Sequence, residues 1–297
     1  MRLLVLGGSG QLGTQLRALE LPQGVQLLAP ARTAVDLGDS AAIRRLITAE
    51  LWSVVINAAG YNNVDRAENE EHLAFAINAQ AAACLAEETG KRGIPLIYVS
   101  TDYVFDGRKG APYTETDAAK PLNTYGRSKL AGECHVSAAN ARHVILRTAW
   151  LYSPYGTNFV RTILRLAQER ERLPVVADQL GCPTSARDLA KACLDIALFC
   201  ATKPDQENYG VYHLAGAGAA TWFEFANAIL ETAAGRLSRL PELVPIPSAQ
   251  YPSPASRPAD SRLDCTAIHL AFGVAARPWR RALAETVDCL LARTSVT

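Results

Sequence analysis

Apolar residues in the first half of the chain fall into short unbroken runs, separated by longer stretches of helical spacing. Residues 3–6, 25–28, 54–56, 96–99 and 144–146 read as buried strands. Between them, positions such as Leu73, Ala76, Ile77 and Gln80 to Leu85 repeat with helical period, and Gly90 or Gly93 stands where that helix should end. Strand and helix alternating at this rhythm predict an α/β fold with right-handed crossovers and a doubly wound parallel sheet covered on both faces. The second half is less regular. It predicts a strand at 173–176, a helix from about Ser185, a strand at 211–214, and a helix opening at Thr221, where Thr221 and Glu224 form a capping-box pair. Six prolines (Pro241, Pro245, Pro247, Pro252, Pro254, Pro258) rule out helix interior there and predict a loop crossing the surface of a small C-terminal lobe.

With 49% hydrophobic and 20% charged residues, the 297-residue chain can bury a large core. A formal net charge of +1 without runs of like charge predicts no nucleic-acid or membrane partner. The apolar run after Met1 and Arg2 is cut at Gly7, far short of a signal sequence, and no segment is long enough to span a bilayer, so a cytoplasmic location is expected. Seven scattered cysteines with no CxxC pair read as reduced packing thiols, and no metal site is expected.

The first strand runs straight into Gly7-Gly8-Ser9-Gly10-Gln11-Leu12-Gly13 and then a potential helix. Gly7, Gly10 and Gly13 would permit a sharp turn, a close approach of backbone to a pyrophosphate, and tight packing of helix on strand. The helix start offers free N–H groups to phosphate. An ordinary turn is the plain alternative, but the strand before and the alternation after favour a dinucleotide site. After the second strand stands Ala29-Pro30-Ala31-Arg32-Thr33, with Arg32 where a 2′-phosphate would lie; this favours NADPH over NADH, against a solvated loop cation.

Tyr125 and Lys129 are four apart, so a helix puts phenol and ammonium on one face. Reducing a ketone develops negative charge on its oxygen, and a tyrosine beside a cation is a suitable acid for it. Upstream, Thr101 follows the strand at 96–99, at the carboxyl end where ligands of such sheets sit, placed to hydrogen-bond the same oxygen. A turn-forming hydroxyl is the alternative there.

Several blocks together resemble the dTDP-4-dehydrorhamnose reductase family of extended short-chain dehydrogenase/reductases. They are the glycine loop, Asn57-Ala58-Ala59-Gly60-Tyr61, Ser100-Thr101-Asp102-Tyr103-Val104-Phe105-Asp106-Gly107, Pro121-Leu122-Asn123 leading to Tyr125-Gly126-Arg127-Ser128-Lys129, Arg147-Thr148-Ala149-Trp150, Asp178 to Thr184, and Arg257 to Leu263. The resemblance implies a catalytic triad of Thr101, Tyr125 and Lys129. It implies cofactor contacts from Gly7, Gly10, Gln11, Leu12, Gly13, Arg32, Asp36, Leu37, Ala58, Ala59, Gly60 and Tyr61, as well as Tyr125 and Lys129. Asp102, Tyr103 and Trp150 match positions that meet the sugar or nucleotide, and Arg257 one that could grip the diphosphate; a turn cap and a core aromatic are the plain alternatives for Asp102 and Trp150.

On this resemblance, residues 1–149 form a dinucleotide-binding domain to which 187–215 return, while 150–186 and 216–297 make a smaller, discontinuous substrate-binding lobe. The implied activity is NADPH-dependent reduction of dTDP-4-dehydro-6-deoxy-L-mannose to dTDP-L-rhamnose, with NADH admitted as cofactor and a homodimer admitted as assembly. A 6-deoxytalose product, sugar-nucleotide epimerases sharing the loop and Tyr-Lys pair, and a non-catalytic subunit like that of methionine adenosyltransferase stay open. Where some relatives bind magnesium through an acidic first-helix residue, this chain has Thr14-Gln15-Leu16, a poor set for a hard cation.

Overall fold

The computed structural model describes residues 1–31, 33–203 and 208–294. Its first half runs β1 (Arg2–Leu6), α1 (Gln11–Arg17), β2 (Gln26–Leu28), α2 (Ser40–Thr48), β3 (Val54–Asn57), α3 (Val64–Ala67), α4 (Glu71–Phe75), a π-helical turn Ala76–Gln80, α5 (Ala81–Gly90), β4 (Leu96–Thr101), α6 (Thr124–Ala139) and β5 (His143–Thr148). The second half runs β6 (Leu151–Tyr152), α7 (Phe159–Glu169), β7 (Arg172–Val176), β8 (Leu180–Gly181), β9 (Thr184–Ser185), α8 (Ala186–Thr202), β10 (Gly210–His213), β11 (Ala220–Thr221), α9 (Trp222–Ala233), β12 (Glu242–Ile246), α10 (Thr266–Phe272) and α11 (Trp279–Thr294).

Six strands form one parallel sheet in the order β10-β5-β4-β3-β1-β2. Because successive side chains of a strand point to opposite faces, its unbroken apolar runs feed two cores at once. Leu3, Val5, Val54, Ile56, Ile97, Val144 and Leu146 pack with α1, α8 and α10 on one face. Leu4, Leu6, Val55, Leu96, Tyr98 and Ile145 pack with α2 and α5 on the other. The chain leaves β1 outward to β2 and then crosses back to β3, so the connections diverge at the carboxyl ends of β1 and β3 and open a crevice there.

A further core joins α7, β7, α9 and α11 through Ile163, Leu173, Phe225, Ile229, Trp279 and Leu283. Here the proline-rich stretch departs from expectation. Residues 242–246 form a strand, β12, paired in parallel with β7, followed by a 3-10 turn at Ser248–Gln250. Each partner carries a proline, Pro174 and Pro245, tolerable because a two-stranded ladder is all edge and can forgo an N–H donor. The Thr221–Glu224 capping box forms as the sequence indicates.

Beneath the centre of the sheet's α6 face lies a buried ion pair. Glu133 of α6 receives Arg147 of β5 in fork fashion (Nε to Oε1 3.0 Å, Nη2 to Oε2 2.6 Å) and the Ser100 hydroxyl of β4 at 2.5 Å. Both side chains are almost wholly enclosed, 7% exposed for Arg147 and 4% for Glu133. Removing one partner of such a pair strands the other charge away from water. Glu133→Gln is therefore expected to destabilise the fold by about 3–5 kcal/mol in urea denaturation; a loss near zero would show that the pair does not anchor α6.

Candidate active site

β1 delivers the chain into a turn that only glycine fits. Gly7 has φ +84°, and a Cβ there would stand 2.7 Å from the Ala59 nitrogen and 2.8 Å from the Ala58 carbonyl carbon. A Cβ on Gly13 would stand 2.2 Å from the Gly7 oxygen, so α1 packs against the turn with no space for a side chain. Gly10 donates to the Gly7 oxygen at 3.0 Å and opens α1 without a side-chain cap, leaving the first helical N–H groups, at Gln11 and Leu12, without intrahelical acceptors. Leu12 buries its side chain in the core and offers the crevice only backbone. Gln11 turns its carbonyl oxygen to Ser153 Oγ (2.9 Å) and Asn158 Nδ2 (3.0 Å). A glycine cradle at the switch point, facing an uncapped helix start, fits the pyrophosphate of a dinucleotide.

Ala58 to Tyr61 form the opposite wall after β3. Asn78, in the π-helical turn, holds that loop by accepting from the Tyr61 N–H (2.8 Å) and donating to the Tyr61 oxygen (3.1 Å) and Ser128 Oγ (2.9 Å). The Tyr61 hydroxyl donates to Glu70 at 2.5 Å. A Cβ on Gly60 would come within 3.1 Å of Asn78 Oδ1. Leu37 packs in the same apolar layer as Leu6 and Ala59, whereas the Asp36 carboxylate accepts from the Gly38 N–H (2.9 Å) within its own loop. Arg32 lies outside the described residues.

At the end of β4, Thr101 accepts from the Tyr103 N–H (3.2 Å) and donates to Asp102 Oδ1 (3.1 Å), so Thr101 rather than Asp102 caps the turn. Burial pushes Asp102 up to about 7, against the pull of the Ser261 and Thr101 hydroxyls. α6 begins nearby with two supports: Asn123 accepts from the Gly126 N–H (2.8 Å), and Glu68 accepts from the Thr124 N–H (2.7 Å). This sets Tyr125 in the first turn beside Thr101 and Lys129 one turn on. Burial raises the Tyr125 phenol to about 12, with the Thr101 hydroxyl holding it down and the Asp102 charge pushing it up. Lys129 is buried, donates to the Val99 oxygen at 2.6 Å and lies 4.1 Å from the Tyr98 ring centre. Burial lowers its pKa to about 7, and the charge of Glu133 opposes that fall.

Of the remaining predicted residues, Trp150 packs against the core of α7, β7, α9 and α11, and Tyr103 lies beside both Tyr125 and Arg257. Trp150 has φ +44°, a strained backbone for a bulky residue, and its ring stacks on Trp222 at 3.5 Å and 5°. Tyr103 meets Tyr125 edge to face at 6.0 Å. A cavity of about 790 Å³ opens between α7, β7 and the 248–257 segment, with Phe159, Ile163, Trp222 and Arg257 in its wall. Arg257 is already engaged, pairing with Asp65 at 2.9 Å. Another cavity, of about 650 Å³ between α1, α8 and α11, is lined by none of the predicted site residues.

Several contributors escaped sequence reading. Glu133 stands four residues beyond Lys129, a helical spacing that signals a shared face. Asp65 and Glu68 lie in Val64-Asp65-Arg66-Ala67-Glu68, where nothing local marks a carboxylate that reaches 192 residues along the chain, as Asp65 does to Arg257. Trp222 is legible only as an apolar helix position.

The family model for the RmlD substrate binding domain matches residues 1–292. A dTDP-4-dehydrorhamnose reductase from Sinorhizobium fredii is 42% identical, covering 98% of this chain and 98% of its own. The crystal structure of a dTDP-4-dehydrorhamnose reductase from Clostridium acetobutylicum superposes with a TM-score of 0.89 at 34% identity, covering 98% of this chain and 99% of the other. One from Bacillus anthracis, in complex with NADP, gives a TM-score of 0.89 at 33% identity, covering 97% and 98%. On the full-length match and these similarities, the chain belongs to the RmlD substrate binding domain family.

Proposed function

We propose that this protein reduces the 4-keto group of dTDP-4-dehydro-6-deoxy-L-mannose to give dTDP-L-rhamnose, using NADPH. The observation that carries this reading is the convergence of Thr101, Tyr125 and Lys129 at the end of β4, beside the glycine cradle at the ends of β1 and β3. The relatives' names supply the substrate, and the NADP complex of the Bacillus anthracis protein supports the cofactor.

The bound nicotinamide supplies the hydride. As charge grows on the sugar oxygen, Tyr125 gives it a proton. A phenol with pKa about 12 is fully protonated at neutral pH and yields its proton only to a stronger base, which a developing alkoxide is. The buried phenolate left behind is costly, and Lys129 one helical turn away offsets that cost in its protonated form, which burial leaves about half populated near pH 7. Thr101 hydrogen-bonds the same oxygen, which requires its hydroxyl to turn from Asp102.

We assign the cofactor pyrophosphate to the N–H groups at Gln11, Leu12 and Gly13, and the rest of the cofactor to Gly7, Gly10, Asp36, Leu37, Ala58, Ala59, Gly60 and Tyr61, with Arg32 for the 2′-phosphate. Asp102, Tyr103 and Trp150 meet the sugar nucleotide, and Arg257 its diphosphate. In this reading residues 1–149 with 187–215 serve the cofactor, and 150–186 with 216–297 serve the substrate. Among the described residues no helix is long and apolar enough to cross a membrane. We place the enzyme in the cytoplasm, with a homodimer admitted as its assembly.

Tyr125→Phe is expected to cut turnover of the keto-sugar by at least about a hundredfold, the lower range for a general acid, while NADPH binding by fluorescence titration stays within about twofold. Retained turnover would remove Tyr125 from the mechanism. Lys129 gives a pH test. Its folded-state pKa of about 7 lies below its ordinary 10.5, so between those values the unfolded chain binds the extra proton. Stability is therefore penalised below about pH 7 and recovers as pH rises through that window. Chemical denaturation of Lys129→Met should show a flatter profile there; an unchanged slope would mean that Lys129 keeps its ordinary pKa.

A further inference from the structure

The residues around Arg257 form an anion cradle with a carboxylate already in it. Asp65, from α3, accepts at Oδ1 from Ser253 Oγ (2.8 Å) and the Ala255 N–H (3.4 Å), and at Oδ2 from Arg257 Nη2 (2.9 Å). A hydroxyl, an amide N–H and a guanidinium aimed at one anion are the donor set that suits a phosphate. Arg257 Nη1 meanwhile donates to Ser253 Oγ and to the Ala255 oxygen at 3.2 Å, and the Tyr103 hydroxyl lies beside the same guanidinium. Most of its donors are thus spent, and Asp65 is its anionic partner.

The cradle also borders the larger cavity. Ser253, Ala255, Ser256 and Arg257 line the 790 Å³ cavity. The Ser256 oxygen accepts from Asn123 Nδ2 at 2.8 Å, and Asn123 caps the helix that carries Tyr125. Tyr103 connects Arg257 to Tyr125. The stretch of cavity wall at Ser256 and Arg257 therefore lies next to the helix that carries the proton donor.

Resting on the reductase reading above, we propose that Asp65 is a displaceable plug: its carboxylate occupies the Ser253–Ala255–Arg257 cradle, and the diphosphate of the nucleotide sugar displaces it. A retained carboxylate would repel the incoming phosphates at contact distance, whereas a released one can turn to solvent, since its side chain is 41% exposed. The exchange trades a partly exposed pair, worth little, for charge-assisted bonds to a ligand of higher charge. Asp65 thereby acts as a specificity-determining residue that favours diphosphates over ligands too weakly charged to dislodge it.

The test is calorimetric titration of the full chain with dTDP and with thymidine, for wild type, Asp65→Asn, Arg257→Met and the double variant. Displacement predicts that Asp65→Asn binds dTDP roughly two- to fivefold more tightly, the range expected for releasing a partly exposed pair, with thymidine unaffected. It also predicts that the gain vanishes in the Arg257→Met background. An unchanged or weakened dTDP affinity in Asp65→Asn, with wild type still binding dTDP, would overturn the plug alone and make Asp65 a support for Arg257. A gain that persists without Arg257 would equally overturn it, as general charge repulsion. No dTDP binding in any form would contradict the plug and the reductase reading together.

Discussion

The seating of α6 against the end of β4 is the constraint on which the site depends. α6 meets its neighbours without room for intervening side chains: a Cβ on Gly126 would stand 2.2 Å from the Tyr103 oxygen just past β4, and one on Gly132 2.2 Å from the Asn78 oxygen of the π-helical turn. Close packing of this kind fixes a helix in translation, and the Glu133–Arg147–Ser100 cluster fixes it in rotation. Tyr125 and Lys129 inherit their positions from that docking. Their unusual acidities follow too, because a helix pressed onto a sheet removes the groups it carries from water.

Three links carry this geometry outward. Asn78 ties the Tyr61 loop to Ser128 on α6, so the wall of the glycine crevice and the proton donor share a support. Its place in a π-helical turn agrees with the recurrence of such turns at functional sites. Gln11 joins the glycine loop to Ser153 and to Asn158, which caps α7, and α7 walls the larger cavity. The 253–257 segment binds both the α6 cap through Asn123 and α3 through Asp65. Crevice and cavity are therefore mechanically continuous.

The sheet was legible because both its faces are buried, which makes each strand a short apolar run bounded by turns. The glycine loop and the Tyr125–Lys129 pair were legible because backbone approach and helical spacing leave local marks. What stayed hidden depends on distant residues. Nothing near Arg257 foretells Asp65, and nothing near Trp150 foretells the Trp222 stack or the left-handed backbone that presents its ring. The proline count at 241–258 excluded helix correctly but concealed β12, because a two-stranded parallel ladder tolerates prolines that a central strand would not.

The most direct test of the central claim follows the hydrogen. The purified protein would be incubated with dTDP-4-dehydro-6-deoxy-L-mannose and NADPH carrying deuterium at the transferring position of the nicotinamide, and the sugar product analysed by mass spectrometry and NMR. Deuterium at C4 of dTDP-L-rhamnose is the predicted result. A product without label, or no product while the cofactor is bound, would contradict the account.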